Sequence, residues 1–70
     1  MNMNGIYVIE NEIRIYRNLR TGEEFREQGW DSKASIQAWE IAKATGDEFH
    51  ITVVNAITGE ILRENEMKAA

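Results

Sequence analysis

Cysteine is absent from this chain of 70 residues, and histidine occurs once, as His50. Without cysteine, disulfide bonds, thiolate metal ligands and a cysteine nucleophile are excluded. A single histidine makes a zinc site unexpected. His50 lies between Phe49 and Ile51 on a predicted strand, so its side chain is expected to point away from the core. We therefore predict no catalytic residue, no metal site and no cofactor, and we expect a protein that is not an enzyme.

Long apolar runs are also missing. The longest covers residues 6–9, far below the ~20 residues that a membrane-spanning helix needs. Residues 1–5 carry no positive charge and no apolar h-region follows them, so we expect no signal peptide and no membrane partner. The location expected from these absences is cytoplasmic.

Basic residues are outnumbered, with 8 Lys and Arg against 12 Asp and Glu and a net charge of −4. Affinity for phosphate backbones comes mostly from basic side chains, so an acidic domain is a poor general ligand for nucleic acid. It is a better candidate for binding a basic protein surface.

The size of the chain allows one core only. A domain of this length buries only about 60% of the surface that its unfolded chain exposes. Small domains of this kind often gain stability from a partner subunit, so self-association as a homodimer is an open alternative.

A ten-residue segment occurs twice in the chain. Asn18 to Glu27 returns 37 positions later as Asn55 to Glu64, with Asn, Thr, Gly, Glu, Arg and Glu identical. Each copy predicts the turn of a β-hairpin, in which glycine supplies a positive φ. The repeat is explained either by duplication of the segment or by independent convergence on the same hairpin-turn sequence. The aligned strands disagree in phase, because Arg14 and Tyr16, predicted to face away from Ile13 and Ile15, align with core candidates of the later strand.

The pattern predicts the order βββαββ. Strands are expected at residues 6–9, 13–17, 23–28, 49–54 and 61–64, and a helix from an N-cap at Asp31 or Ser32 to about Thr45, before Gly46. The expected fold class is α+β, a two-layer domain of residues 1–70 in which one helix packs on one face of an antiparallel sheet. Residues 1–4 and 65–70 are expected to fray.

The predicted helix has more apolar surface than one sheet can cover. Its core stripe comprises Ala34, Ala38, Ile41, Ala42 and Thr45. With Ile36 and Trp39 the apolar arc spans about 220°, wider than the ~100° stripe of one contact face. Either Trp30 folds over Ile36 while Trp39 packs on the sheet edge, or Ile36 and Trp39 form an exposed contact patch rimmed by Glu40 and Lys43.

Arginines and a tyrosine in the predicted second and third strands offer an alternative. Aromatic and basic side chains on a sheet face bind single-stranded nucleic acid by stacking and charge. The contacts in that case would be Arg14, Tyr16 and Arg17. Interleaved glutamates explain the same pattern through cross-strand ion pairs without any ligand.

The capped helix that follows Trp30, the strand 49–54 and the Thr58-Gly59-Glu60 turn resemble small, mostly uncharacterised bacterial and phage domains. In those domains one hairpin precedes a helix and another follows it, and the likeness covers roughly residues 12–64. In size and style the chain also resembles phage-encoded anti-CRISPR proteins, which occupy a surface of a host complex. The resemblance implies a phage or mobile-element protein in a bacterial cytoplasm and carries no functional residues over.

The interpretation that best fits these observations is a non-catalytic protein-interaction domain, an inhibitor of a host defence complex if the resemblance holds. The predicted partner contacts are Ile36, Trp39, Glu40, Lys43, Glu60 and Glu64. Two alternatives stay open: single-stranded nucleic-acid binding on the sheet face, and a small homodimeric structural domain.

Overall fold

The computed structural model describes residues 9–69. Within them the elements are a 3₁₀ turn, Ile9–Asn11, then β1 (Glu12–Asn18), β2 (Glu24–Gln28), α1 (Lys33–Thr45), β3 (Phe49–Asn55) and β4 (Ile61–Met67). The strands of this region form one antiparallel sheet in the order β2-β1-β3-β4, with α1 on one face. The predicted α+β class is confirmed.

Two predicted boundaries need comment. The first predicted strand, 6–9, lies outside the described residues except for Ile9, which begins the 3₁₀ turn. The last strand continues to Met67 rather than ending at Glu64, so residues 65–67 belong to the sheet and do not fray. Asn65 and Glu66 are polar and are held by backbone pairing with β3, whereas Met67 also packs against the core.

Helix α1 begins and ends where the sequence predicts. Ser32 occupies the N-cap position but makes no side-chain cap bond. Asp31, the other predicted candidate, accepts from the Lys33 amide through Oδ1 at 3.0 Å, and Glu27 Oε1, from strand β2, accepts from the Ser35 amide at 2.9 Å, which was not predicted. At the other end, Gly46 has a φ of 80° and its amide donates to the Ala42 carbonyl.

The core lies between α1 and the sheet. Three buried alanines, Ala34, Ala38 and Ala42, form the inner face of α1, and side chains this small let a helix approach a sheet closely. Larger residues fill the layer from both sides, namely Tyr16, Phe25, Ile41, Phe49, Ile51 and Met67. Thr45 of the predicted stripe is exposed.

The predicted orientation of β1 is wrong. Tyr16 is 5% exposed and belongs to the core, and Arg14 shares its face beneath α1. Ile13 and Ile15 lie on the opposite face, which follows from the alternation of side chains along a strand. The polar ends of Arg14 and Tyr16 can be buried because Glu27 of β2 accepts hydrogen bonds from both, and Glu12 of β1 accepts another from Arg14.

With this orientation, corresponding residues of β1 and β3 face the same side of the sheet. The predicted disagreement in phase between the two copies of the repeat is therefore wrong for β1 and β3. Ile15 pairs with Thr52, its counterpart 37 residues later, and the flanking pairs are arranged symmetrically about this centre. Glu12 pairs with Asn55, and Asn18 pairs with Phe49. The two hairpins are therefore related by a local two-fold axis that passes between Ile15 and Thr52.

The two turns repeat each other bond for bond. Asn18 Oδ1 accepts the amides of residues 20 and 21 at 2.8 and 3.1 Å, and Asn55 Oδ1 accepts those of residues 57 and 58 at the same distances. Gly22 and Gly59 have φ angles of 80° and 79°. One short sequence thus builds one turn structure at both positions.

The symmetry fails in the outer strands. Val53 pairs with Arg63 while Val54 pairs with Ile61, so Leu62 is an extra residue and β4 is shifted by one position. A shift of one residue exchanges the two faces of a strand. Glu27 of β2 consequently lies beneath α1, whereas its counterpart Glu64 lies on the opposite face of the sheet.

Candidate functional site: the outer face of the helix

The outward side of α1 carries exposed apolar side chains. Ile36 is 57% exposed and Trp39 is 40% exposed. Lys43 Nζ lies 6.0 Å from the centre of the Trp39 ring and 3.3 Å from Glu40 Oε2. Spacings of three and four residues make these side chains neighbours on the helix surface, and we refer to Ile36, Trp39, Glu40 and Lys43 as the helix patch.

The helix patch is exposed because the sheet can cover only one side of α1. The structure packs Ile41 against the core and leaves Ile36 and Trp39 outside it. A contiguous apolar surface of this kind commonly marks a contact site for another macromolecule.

Trp30 does not close over the helix patch. Its ring is 76% exposed, and its indole N–H donates to Glu10 Oε2 at 3.1 Å. The predicted alternative, in which Trp30 packs over Ile36 and buries both, is therefore wrong.

The two remaining predicted contacts lie elsewhere. Glu60 follows the turn between β3 and β4 and is exposed. Glu64 lies on the face of the sheet opposite to α1, where its Oε1 is 2.7 Å from His50 Nε2. The structure thus brings together four of the six predicted contact residues and separates Glu60 and Glu64 from them.

A buried ionic network lies beneath the N-terminal half of α1. The Arg14 guanidinium donates to Glu27 Oε2 at 2.6 Å, to Glu12 Oε2 at 2.8 Å, and to the carbonyls of Gly29 and Asp31. Glu12 and Glu27 are 2% and 5% exposed. The cross-strand pairing of arginine with glutamate that the sequence offered as an alternative is present between Arg14 and Glu27, but its burial beneath α1 was not predicted. Glu12 precedes Arg14 by two residues on the same face of a strand, which is a usable signal for that part of the network.

Glu27 is the centre of the network. Burial alone would raise the pKa of this carboxyl, but hydrogen bonds from Arg14, from the Ser35 amide and from Tyr16 together lower it. Burial and the bond to Glu27 raise the pKa of the Tyr16 hydroxyl. Burial would lower the pKa of Arg14, and its bonds to Glu27 and Glu12 outweigh that and raise it. These shifts keep Arg14 and Glu27 charged, as in a structural ion pair.

A second polar tie holds the C-terminal end of the helix. Asp47, which is buried, accepts from Arg20 at 2.7 and 2.8 Å and from Asn18 at 3.0 Å. The hydrogen bonds from Arg20 and Asn18 lower the pKa of Asp47. The first turn and the loop after α1 are joined by this contact.

The three residues of the nucleic-acid alternative do not share a surface. Arg14 and Tyr16 are engaged beneath α1, whereas Arg17 is exposed on the opposite face and lies 3.4 Å from Glu24. The predicted combined contact through Arg14, Tyr16 and Arg17 is therefore geometrically wrong.

Within residues 9–69, no three His, Asp or Glu side chains are grouped as a metal site. No helix in the described part of the chain has the length and apolar character required to span a membrane. Comparison of the chain with protein-family models, curated proteins and solved structures finds no match.

Proposed function

We propose that this chain is a non-catalytic protein-interaction domain that binds its partner through the helix patch. The observation that carries the proposal is the exposure of Ile36 and Trp39, side by side on a helix whose other face is fully packed. Tryptophan is enriched among the residues that dominate interface energetics. Glu40 and Lys43 supply charges of both signs at the rim.

Both ends of α1 are fixed, which favours binding without prior ordering. Glu27 holds the first turn through the Ser35 amide, and Asp47 holds the loop that follows the last turn. A contact surface that is already ordered loses less conformational entropy when it binds. The helix patch is therefore suited to a partner that offers a preformed apolar pocket.

The charge of the chain indicates the partner's chemistry. A net charge of −4 favours a protein with a basic surface around that pocket, because complementary potentials speed association and exclude wrong partners. The resemblance to anti-CRISPR proteins narrows this proposal to a bacterial host defence complex, with the chain acting as an inhibitor that occupies one of its surfaces.

Differential capture tests the proposal. The tagged chain and its Trp39→Ala and Ile36→Glu variants are incubated with bacterial extract, and retained proteins are identified, purified and titrated calorimetrically against each chain. We expect the patch variants to bind at least about tenfold more weakly, since truncation at a hot spot costs ~2 kcal/mol or more.

Ile57→Ala is the matched control, because Ile57 is 75% exposed on a turn outside the patch. Circular dichroism shows that each variant is folded. Partner affinity that is equal in the patch variants and in Ile57→Ala would place the contact on another surface.

A further inference from the structure

No element within residues 9–69 covers the face of the sheet opposite to α1. We call it the open face and define it by its centre, Ile13, Ile15, Thr52 and Val54, and by two charged residues on the outer strands, Arg26 and Glu64. The β1–β3 register sets Ile13 opposite Val54 and Ile15 opposite Thr52. A sheet face that meets only water is normally polar, so this central cluster, only partly buried, calls for a partner.

The charged residues lie at opposite ends of one row. Arg26 pairs with Ile15, Ile15 with Thr52, and Thr52 with Glu64, so a single line crosses all four strands of the sheet. The line begins with a positive charge on β2 and ends with a negative charge on β4. Arg26 makes no ion pair with any other residue of the region 9–69, and Glu64 contacts His50.

We propose that the open face is the interface of a homodimer, with two copies packed face to face about a two-fold axis parallel to the strands. Such an axis places β2 of one copy over β4 of the other and keeps each row in register. Arg26 of each copy then meets Glu64 of its partner copy, and the apolar centres pack against each other. Sheets that pack face to face keep their strands within about 30° of one another, which this axis satisfies.

The arrangement of charges selects a second copy as the occupant. Rotation about this axis reverses the order of the line, so the row from Arg26 to Glu64 is complementary to itself. A small domain also gains from the added burial. The dimer forms on a different surface from the helix patch and does not depend on the proposed function.

The size of the open face sets the expected affinity. Four strands at ~4.8 Å and seven residues at ~3.3 Å give roughly 440 Å² of projected area per copy. This lies below the ~800 Å² per partner of a standard interface. In the neighbouring row, Glu24 would face Glu66 of the other copy, and these like charges would repel each other. The dimer is therefore expected at the weak, reversible end of protein interfaces.

Charge reversal and its rescue test the proposal on the full chain by sedimentation equilibrium over a concentration series. Arg26→Glu and Glu64→Arg each place two like-charged pairs in the interface, and each should weaken the dimer at least about tenfold. The double variant restores opposite pairs and should return the Kd to near that of the parent chain. Within one chain the two positions are about 14 Å apart, three strand spacings, beyond the ~8 Å screening length at physiological salt. Rescue therefore reports a contact between copies.

Two controls keep the outcomes distinct. Glu60→Arg makes the same charge change in the turn, off the open face, and should leave the dimer intact. Trp39→Ala should also leave it intact, whatever that variant does to partner binding. A monomer at every concentration overturns the proposal and leaves the face to another part of this chain or to another protein. A double variant that stays monomeric, or a dimer that Trp39→Ala disrupts, overturns it equally.

Discussion

Replacing Glu27 with glutamine removes one charge from the buried network while preserving the shape of the side chain. Glu27 accepts hydrogen bonds from Arg14, Tyr16 and the Ser35 amide, so it joins β1, β2 and the first turn of α1. In the variant the buried charge of Arg14 has one negatively charged partner fewer, and the hydrogen bond that caps the first turn of the helix is weaker. We expect a large loss of stability.

The size of the expected loss in folding free energy follows from the burial of Glu27 and from the hydrogen bonds that Arg14 keeps in the variant. Removing one partner of a buried ion pair costs about 3–5 kcal/mol. Arg14 keeps its 2.8 Å bond to Glu12 and two carbonyl contacts, so we expect a loss smaller than that range, about 2–3 kcal/mol. A domain of this length has roughly 4–10 kcal/mol of folding free energy in total. The midpoint of thermal unfolding should fall by about 8–24 °C.

Urea and thermal unfolding followed by circular dichroism measure the effect. Glu24→Gln is the matched control, because Glu24 lies on the same strand, is exposed, and pairs at 3.4 Å with an exposed arginine. Its cost should stay within about 0.5 kcal/mol. Equal losses in the two variants would refute the reasoning, since they would show that the buried network does not hold the helix on the sheet.

Two further predictions concern pH and the turns. The pKa values of Glu27 and Asp47 are both lowered in the folded state, from ordinary values of 4.5 and 3.8. The stability that these two carboxylates add is therefore complete above about pH 5 and is lost as the pH falls through their folded-state pKa values. Urea unfolding midpoints measured from neutral to acidic pH should show this loss, and midpoints that do not change with pH would contradict it. Gly22→Ala and Gly59→Ala should each cost about 1–2 kcal/mol, because both residues have φ near 80°. Denaturation should give losses that agree within about 0.5 kcal/mol, and a clear difference would show that the two turns are not equivalent in energy.

The elements that sequence reasoning predicted correctly are specified locally. The helix has a periodic alanine stripe and a glycine at its end, and both hairpins have an Asn–Thr–Gly turn whose bonds form within five residues. The surplus apolar surface at Ile36 and Trp39 was predictable for the same reason. Periodicity alone shows that one sheet cannot cover both sides of α1.

The errors concern interactions between elements distant in sequence. Arg14 and Tyr16 were expected outside because their side chains end in polar groups. Both are buried because Glu27, on another strand, accepts hydrogen bonds from each of them, and Glu12 accepts a further one from Arg14. The end of β4 was misplaced because Asn65 and Glu66 carry no apolar signal, and their backbone pairing with β3 holds them in the sheet. In both cases the deciding partner lies more than ten residues away.

The extra residue at Leu62 connects the repeat to the two surfaces of the protein. Without this extra residue, Glu64 would lie on the same face of the sheet as its counterpart Glu27, beneath the helix. In the described part of the chain, the single α-helix packs mainly on β1 and β2, so it would not cover a second carboxylate on β4. With the extra residue, that carboxylate is moved to the open face, opposite in charge to Arg26 along the same row. One inserted position thus turns two similar hairpins into a sheet with one face that supports the helix and one face whose row from Arg26 to Glu64 would, in the proposed dimer, meet the same row of a second copy.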